Sequence, residues 1–155
     1  MRPWLPIVVV LALAAGCATP KQESTEAQQP ADEPLDTEAT IDHDVDNRAV
    51  SLLWEQAQEA RRAGRLDEAV DKLERAVRMA PEDAVIWSRL AELRLQQKDF
   101  AVAENLASKS NALAGDQRLL RYRNWLIVAE ARRRRGDEEG ARQAQGEAAR
   151  VKSGS

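Results

Sequence analysis

The sequence predicts an all-α fold, a helical solenoid of about three helix-turn-helix repeats, and two observations carry that prediction. Large residues recur at equivalent positions, Leu53, Trp87 and Trp125, with offsets of 34 and then 38 residues. Such a period is the signature of stacked repeat units, each of which buries its apolar face against its neighbours. The 155 residues are 32% charged and only 4% aromatic, and a composition of this kind, rich in alanine, favours helix over sheet.

The composition also limits the chemistry that the chain can perform. One cysteine and one histidine exclude an internal disulfide framework, a cysteine-based zinc site and a Ser/His/Asp catalytic set. His43 stands between Asp42 and Asp44, but a metal site needs more ligands held in a fixed geometry. The sequence contains no glycine-rich phosphate loop. We therefore expect a protein that is not an enzyme and that uses no cofactor or metal.

Residues 1–16 have the pattern of a signal peptide: a positive charge at Arg2, then an apolar run shorter than the roughly 20 residues that a transmembrane helix needs. Residues 13–17, Leu-Ala-Ala-Gly-Cys, resemble the bacterial lipobox, in which a peptidase cuts before a cysteine that is diacylated. The resemblance implies lipidation of Cys17 and, since Ala18 follows rather than aspartate, an outer-membrane location. The alternative is an ordinary signal peptide followed by an unrelated cysteine.

Residues 17–47 are expected to be the lipidated cysteine and a disordered acidic tether. Between residues 18 and 48 the chain has nine acidic and two basic residues, and three prolines interrupt helix formation. Its few large apolar side chains cannot bury enough surface to offset the entropy cost of ordering. A folded domain over residues 48–155 then follows. A role of the acidic residues in partner binding is the alternative.

Within that domain each repeat is expected to contain two antiparallel helices, A and B. A turn position recurs at Gly64, Lys98 and Gly136, where the chain must reverse and a tolerant residue is needed. Small residues recur in the B helices, where helices approach closely. The predicted helices span 48–63, 67–79, 83–97, 100–114, 117–134 and 138–151.

Residues 49–151 resemble the tetratricopeptide-repeat family. The residues that carry the resemblance are Gly64, Ala69, Leu73, Ala76 and Pro81 in repeat 1 and Trp87, Leu90, Ala91 and Ala103 in repeat 2. Repeat 3 departs at Gln145, which replaces an apolar residue, and a polar outer face suits a terminal capping helix. A plain helical bundle is the structural alternative.

In this family, partners bind the concave face that the A helices line, and the family's groove positions can be carried onto this sequence. The candidate partner-binding residues are then Trp54, Gln58, Arg61, Arg62, Glu92, Arg123, Glu130, Arg133 and Arg134. Arginine forks recognise carboxylates, and tryptophan is a frequent hot-spot residue at interfaces. The alternative role for Trp54 is packing against a neighbouring helix.

The four consecutive arginines 132–135 are a second feature with two interpretations. Such a run of positive charge can bind nucleic acid. The expected signal peptide would direct the protein out of the cytoplasm, so a lipid head group or an acidic partner is favoured over nucleic acid. The alternative is that the run only complements the dipole at a helix C-terminus.

The complete layout resembles small outer-membrane tetratricopeptide lipoproteins that activate bifunctional, class A penicillin-binding proteins. The lipobox, the short tether, the compact repeat domain and residues 103–111 with Asn124-Trp125 carry the resemblance. It implies a non-catalytic lipoprotein whose periplasmic domain binds such a synthase, with membrane attachment through the lipid. Two alternatives remain: an assembly factor or pilotin of an outer-membrane pilus or secretion machine, and a structural protein that binds the cell wall.

Overall fold

The computed structural model describes residues 47–154, and these residues form six α-helices. The expected signal peptide, Cys17 and the acidic tether up to residue 46 lie outside the described residues. The helices are α1 (Arg48–Arg62), α2 (Leu66–Met79), α3 (Ala84–Gln96), α4 (Phe100–Leu113), α5 (Arg118–Arg134) and α6 (Glu138–Ser153). None of these described helices has the length and apolar character needed to cross a membrane.

The helices pack as three successive pairs, α1 with α2, α3 with α4 and α5 with α6. Contacts between α2 and α3 and between α4 and α5 join each pair to the next, and α3 also packs against α5. The all-α tetratricopeptide-like solenoid that the sequence predicts is confirmed.

The turns inside the three pairs share one backbone geometry. Gly64, Lys98 and Gly136 have φ values of 74°, 66° and 81°, the left-handed region that glycine adopts without steric cost. The amide of the residue after each of them donates to a carbonyl five residues back, as from Arg65 to Ala60 at 2.9 Å, which closes a Schellman cap. Lys98 therefore occupies a glycine position in the second turn, as the repeat alignment predicts.

Side-chain caps fix the starts of several helices. Asn47 Oδ1 accepts from the amide of Ala49 at 3.0 Å at the start of α1, and Asp83 Oδ1 accepts from Val85 at 3.0 Å at the start of α3. At the start of α6, Asp137 Oδ1 accepts from Gly140 at 2.9 Å. Each such cap contributes about 1 kcal/mol of helix stability.

The core follows the repeat pattern. A first cluster around Leu53, Leu73, Ile86 and Leu93 joins repeats 1 and 2, and a second around Ile127 joins repeats 2 and 3. The small B-helix residues that the pattern singles out are all at most 3% exposed: Ala69, Ala76, Ala103, Ser110, Ala141 and Ala148. These clusters draw on the described helices themselves, so a fragment of residues 47–155 contains its own core.

A buried polar link joins repeats 2 and 3. The Ser110 hydroxyl donates to the carbonyl of Ala84 at 2.7 Å, and the Asn124 amide donates to the Ser110 oxygen at 2.8 Å. Ser110 and Asn124 are both fully buried. Because water does not reach them, these hydrogen bonds provide the partners that buried polar groups need. The link holds α3, α4 and α5 together, and thereby fixes how α3 and α5 lie beside each other.

Candidate functional site

The first helix of each pair, α1, α3 and α5, carries the groove positions that the sequence analysis selects. Trp54, Gln58 and Arg61 lie on one side of α1, since they are separated by four and then three residues. The Trp54 ring is half-buried and packs against the first core cluster, while Arg61 Nε donates to Gln58 Oε1 at 3.3 Å. These three side chains form the α1 face.

The floor of the groove is an ion triad of Arg89, Glu92 and Arg123. Arg89 Nη1 lies 2.5 Å from Glu92 Oε2 within α3, and Arg123 of α5 pairs with the other oxygen of the same carboxylate. The side chains are only 8%, 4% and 8% exposed. Glu92 therefore bridges two arginines from adjacent repeats in a site nearly closed to water, where each charge needs its partner.

Arg89 also connects the ion triad to α1. Its guanidinium carbon lies 5.6 Å from the centre of the Trp54 ring, a cation–π distance. Burial lowers the pKa of Arg89 from its usual value, and the charges of Arg123 and Arg61 lower it further, against the opposing effect of Glu92. One continuous set of contacts thus runs from α1 through α3 to α5.

Two buried polar atoms of α1 and α3 have no hydrogen-bond partner among the described residues. Ser88, four residues before Glu92 on the same side of α3, is 2% exposed, and its hydroxyl has no hydrogen-bond partner among the described residues. The same holds for Nε2 of Gln58 on the α1 face. Arg89 and Arg123 share the Glu92 carboxylate, and Arg61 lies close enough for its charge to lower the pKa of Arg89.

The candidates at the far end of α5 form a cluster of their own. Glu130 pairs with Arg133, and with Arg134 at 2.6 Å, one helical turn further on. Burial alone would raise the pKa of Glu130, but hydrogen bonds from Arg134 and Arg133 lower it below its usual value. Arg133 and Arg134 remain exposed, so this cluster is accessible to a partner. Arg62 is exposed at the end of α1.

The arginine run 132–135 has structural roles in addition. Arg132 Nε and Arg135 Nη1 each lie 2.8 Å from an oxygen of Glu104, which ties α5 to α4. Arg132 also donates to the carbonyl of Gly140 at 3.2 Å, at the start of α6. The four arginines thus form ion pairs with two glutamates, Glu104 and Glu130. These pairs favour the interpretation that the run stabilises the helix end and its packing.

The structure brings Trp54, Gln58, Arg61, Glu92 and Arg123 together, and it places Glu130, Arg133 and Arg134 in a second cluster. Sequence reasoning left Arg89 out of the groove, although the ion triad and the contact to Trp54 both depend on it. The spacing of Arg89 and Glu92, three apart in a helix, is the signal that indicates their pairing. Among the described residues, no group of His, Cys, Asp or Glu side chains could hold a metal ion.

Comparison with known proteins agrees with the tetratricopeptide-like fold. Residues 60–122 match the family model described as the tetratricopeptide repeat. The chain is similar to the solved globular C-terminal domain of LpoP from P. aeruginosa, with 35% identity, a TM-score of 0.63 and coverage of 66% of this chain and 96% of that domain.

It is also similar in fold to the N-terminal domain of stress-induced protein-1 from C. elegans, with 13% identity, a TM-score of 0.61 and coverage of 68% of this chain and 87% of that one. No curated protein sequence matches the chain.

Proposed function

Since this chain belongs to the family of LpoP-like tetratricopeptide-repeat proteins, we propose that it binds and activates a periplasmic bifunctional peptidoglycan synthase, a class A penicillin-binding protein. The observation that carries the proposal is the 35% identity to the LpoP domain over 96% of that domain's length. The resemblance of the sequence to lipoprotein activators of such synthases agrees with it. Activation would follow if the domain bound the active conformation of the synthase more tightly than the inactive one.

The proposed role is one of protein binding without catalysis. The tetratricopeptide solenoid presents a surface of aligned helices, and its groove offers an aromatic ring, Trp54, among several arginines. Such residues are typical of protein interfaces. The described residues of the groove serve as donors, ion pairs and packing groups, and none of these roles requires a reaction step.

The proposed location is the outer membrane, with the domain in the periplasm. A signal peptide over residues 1–16 and a diacylated Cys17 would anchor the protein there, because each buried CH₂ of an acyl chain contributes about 0.8 kcal/mol and several chains give stable attachment. Residues 18–46, at about 3.3 Å each, would reach at most roughly 95 Å from the membrane. That reach would let the domain meet a synthase held in the inner membrane.

The experiment that tests the proposal adds fragment 47–155 to a purified class A penicillin-binding protein and follows glycan polymerisation and peptide crosslinking. We expect stimulation, and we expect Arg61→Glu to weaken it by at least about tenfold, a change of about 1.4 kcal/mol in binding. Arg61 is partly exposed on the α1 face, so the substitution reverses a charge without emptying the core.

Arg75→Glu is the matched control, because Arg75 is exposed on α2, a B helix, and gives the same charge change. It should leave stimulation intact. Absence of both binding and stimulation by a fully helical fragment would refute the proposal. Loss of secretin multimers or pili on deletion of the gene, with unchanged cell-wall synthesis, would instead support the assembly-factor alternative.

A further inference from the structure

We propose that one edge of the solenoid docks onto an anionic phospholipid bilayer. This terminal edge consists of the starts of α1, α3 and α5 together with the ends of α2, α4 and α6. The inference goes beyond the proposed function, since it assigns a surface outside the groove to a different kind of partner.

The terminal edge is held together by contacts between the helix ends. The Ser110 hydroxyl, near the end of α4, donates to the carbonyl of Ala84 at the start of α3 at 2.7 Å. Lys152 Nζ, near the end of α6, lies 5.4 Å from the centre of the Tyr122 ring near the start of α5. A short turn joins α1 to α2, and the two helices pack against each other, so the start of α1 lies beside the end of α2. Asn47, where the preceding chain joins the domain, is at this same edge.

The first argument is the distribution of exposed apolar side chains. Four large hydrophobic side chains are exposed among the described residues. Three of them belong to the terminal edge: Leu52 (53% exposed) near the start of α1, Met79 (47%) at the end of α2 and Leu119 (59%) at the start of α5. The fourth, Val102, is 37% exposed near the start of α4, at the opposite edge. Apolar side chains gathered at one edge can enter the boundary between the head groups and acyl chains of a bilayer.

The second argument is charge. Exposed basic residues accompany the apolar side chains along the terminal edge, whereas its exposed acidic residues are Glu82 and Asp116. Lysine and arginine at the surface of an anionic bilayer strengthen its binding through attraction to the lipid phosphates. The exposed basic residues at the ends of these helices that carry the argument are Arg48, Arg78, Lys109, Arg118, Arg121 and Lys152.

The third argument is that two of these arginines have no evident role within the domain. At the opposite edge, Arg132 and Arg135 each lie 2.8 Å from an oxygen of Glu104. Arg118 and Arg121 form none of the ion pairs found among the described residues. They also stand in the first turn of α5, which has no acidic residue, and a helix dipole disfavours cations there. Intramolecular pairing and helix stability therefore do not account for them, and an external anionic surface does.

A bilayer matches the layout of these residues. The basic and apolar side chains come from all three repeats and are spread along the edge, so they suit an extended surface that offers phosphates and an apolar layer together. The proposed acyl anchor at Cys17 would keep such a surface within reach, because the chain that carries it joins the domain at this edge. Docking would hold the domain at the membrane of its anchor, and release would free it to meet a synthase.

The test is co-sedimentation of fragment 47–155 with sucrose-loaded vesicles of phosphatidylethanolamine and phosphatidylglycerol, with phosphatidylcholine vesicles as the neutral comparison. We expect at least about tenfold stronger partitioning onto the anionic vesicles, and loss of this preference as salt rises from about 0.1 M to 1 M, because the Debye length shortens. Arg118→Glu should weaken partitioning by at least about tenfold, and Leu119→Ser by at least about fivefold. Both side chains are exposed, so neither substitution empties the core.

Each variant has a matched control away from the terminal edge. Arg142→Glu makes the same charge change at an exposed position of α6, about three turns before the end of that helix. Val102→Ser removes an exposed apolar side chain at the opposite edge. Both controls should change partitioning by less than about twofold.

The proposal is overturned if the folded fragment does not sediment with anionic vesicles, if neutral vesicles bind it equally well, or if each variant behaves as its control. Binding to purified sacculi that Arg118→Glu and Leu119→Ser abolish, without binding to vesicles, would assign the edge to the cell wall and also overturn it.

The synthase assay separates this inference from the proposed function. A fragment that stimulates the synthase in solution but does not bind vesicles would refute the docking edge and leave the function standing. A fragment that binds anionic vesicles with the expected dependence on Arg118 and Leu119, but neither binds nor stimulates the synthase, would retain the docking edge and refute the function.

Discussion

Glu92→Gln is the substitution that the structure makes most informative for stability. Glu92 pairs with both Arg89 and Arg123, and all three side chains are at most 8% exposed. Glutamine keeps the size and shape of the side chain and one accepting oxygen. The substitution therefore changes the charge of the ion triad from one positive to two, in a site that water barely reaches, without creating a cavity.

The expected loss in the free energy of unfolding is about 3 kcal/mol, the lower end of the 3–5 kcal/mol measured when one partner of a buried ion pair is removed. The lower end applies because the amide oxygen still accepts a hydrogen bond from one arginine. For a domain of this size each kcal/mol lowers Tm by about 4–8 °C, so Tm should fall by about 12–24 °C.

The assay is urea unfolding of fragment 47–155 followed by far-ultraviolet circular dichroism, with thermal unfolding as the second measurement. Glu55→Gln on the exposed side of α1 makes the same chemical change and should cost less than about 0.5 kcal/mol. A loss below about 1 kcal/mol for Glu92→Gln, or one equal to that of Glu55→Gln, would show that the ion triad is not the buried element that holds α3 to α5.

Three further outcomes follow from the contacts. Lys98→Gly should stabilise the domain by about 0.5–1 kcal/mol, because φ of 66° strains a side chain; unchanged urea midpoints would contradict this. Ser110→Ala should cost about 1–3 kcal/mol in urea unfolding, because it removes the acceptor of the buried Asn124 amide and one of the donors to the Ala84 carbonyl. Because the pKa of Glu130 is lowered in the folded state, its ionised carboxylate stabilises the fold above about pH 4.3, and this stabilisation is lost as the pH falls through the folded pKa. The difference in unfolding free energy between wild type and Glu130→Gln should therefore shrink in acid. A difference that stays constant with pH would disprove this prediction.

The helices could be predicted from the sequence because two independent signals agree in every repeat. Large residues recur in each A helix and small residues recur in each B helix. Both patterns predict the same helix boundaries. The turn at Lys98 shows the value of the repeat: nothing in its own neighbourhood indicates a left-handed conformation, but its alignment with Gly64 and Gly136 does. The helix ends agree with the expected ones to within two residues.

The groove was harder to predict because its properties depend on which charges meet across helices. Glu92 and Arg123 are 31 positions apart and pair only because α3 lies beside α5. Arg132 and Arg135 likewise find Glu104 across 28 and 31 positions. The sequence alone shows a run of arginines or an isolated glutamate. Only the fold shows which of these side chains form ion pairs with each other.

The same residues set the shape of the groove and its charge, and the two properties are therefore coupled. In a solenoid each repeat contacts only its neighbours, so stability depends on the interfaces between repeats. At the interface of repeats 2 and 3 the Arg123–Glu92 pair contributes one such contact and the Asn124–Ser110 hydrogen bond another. A protein partner that contacts α1, α3 and α5 together would bind only the folded groove. By mass action such binding raises the apparent stability of the whole array, so occupancy of the groove and order across the repeats should rise together.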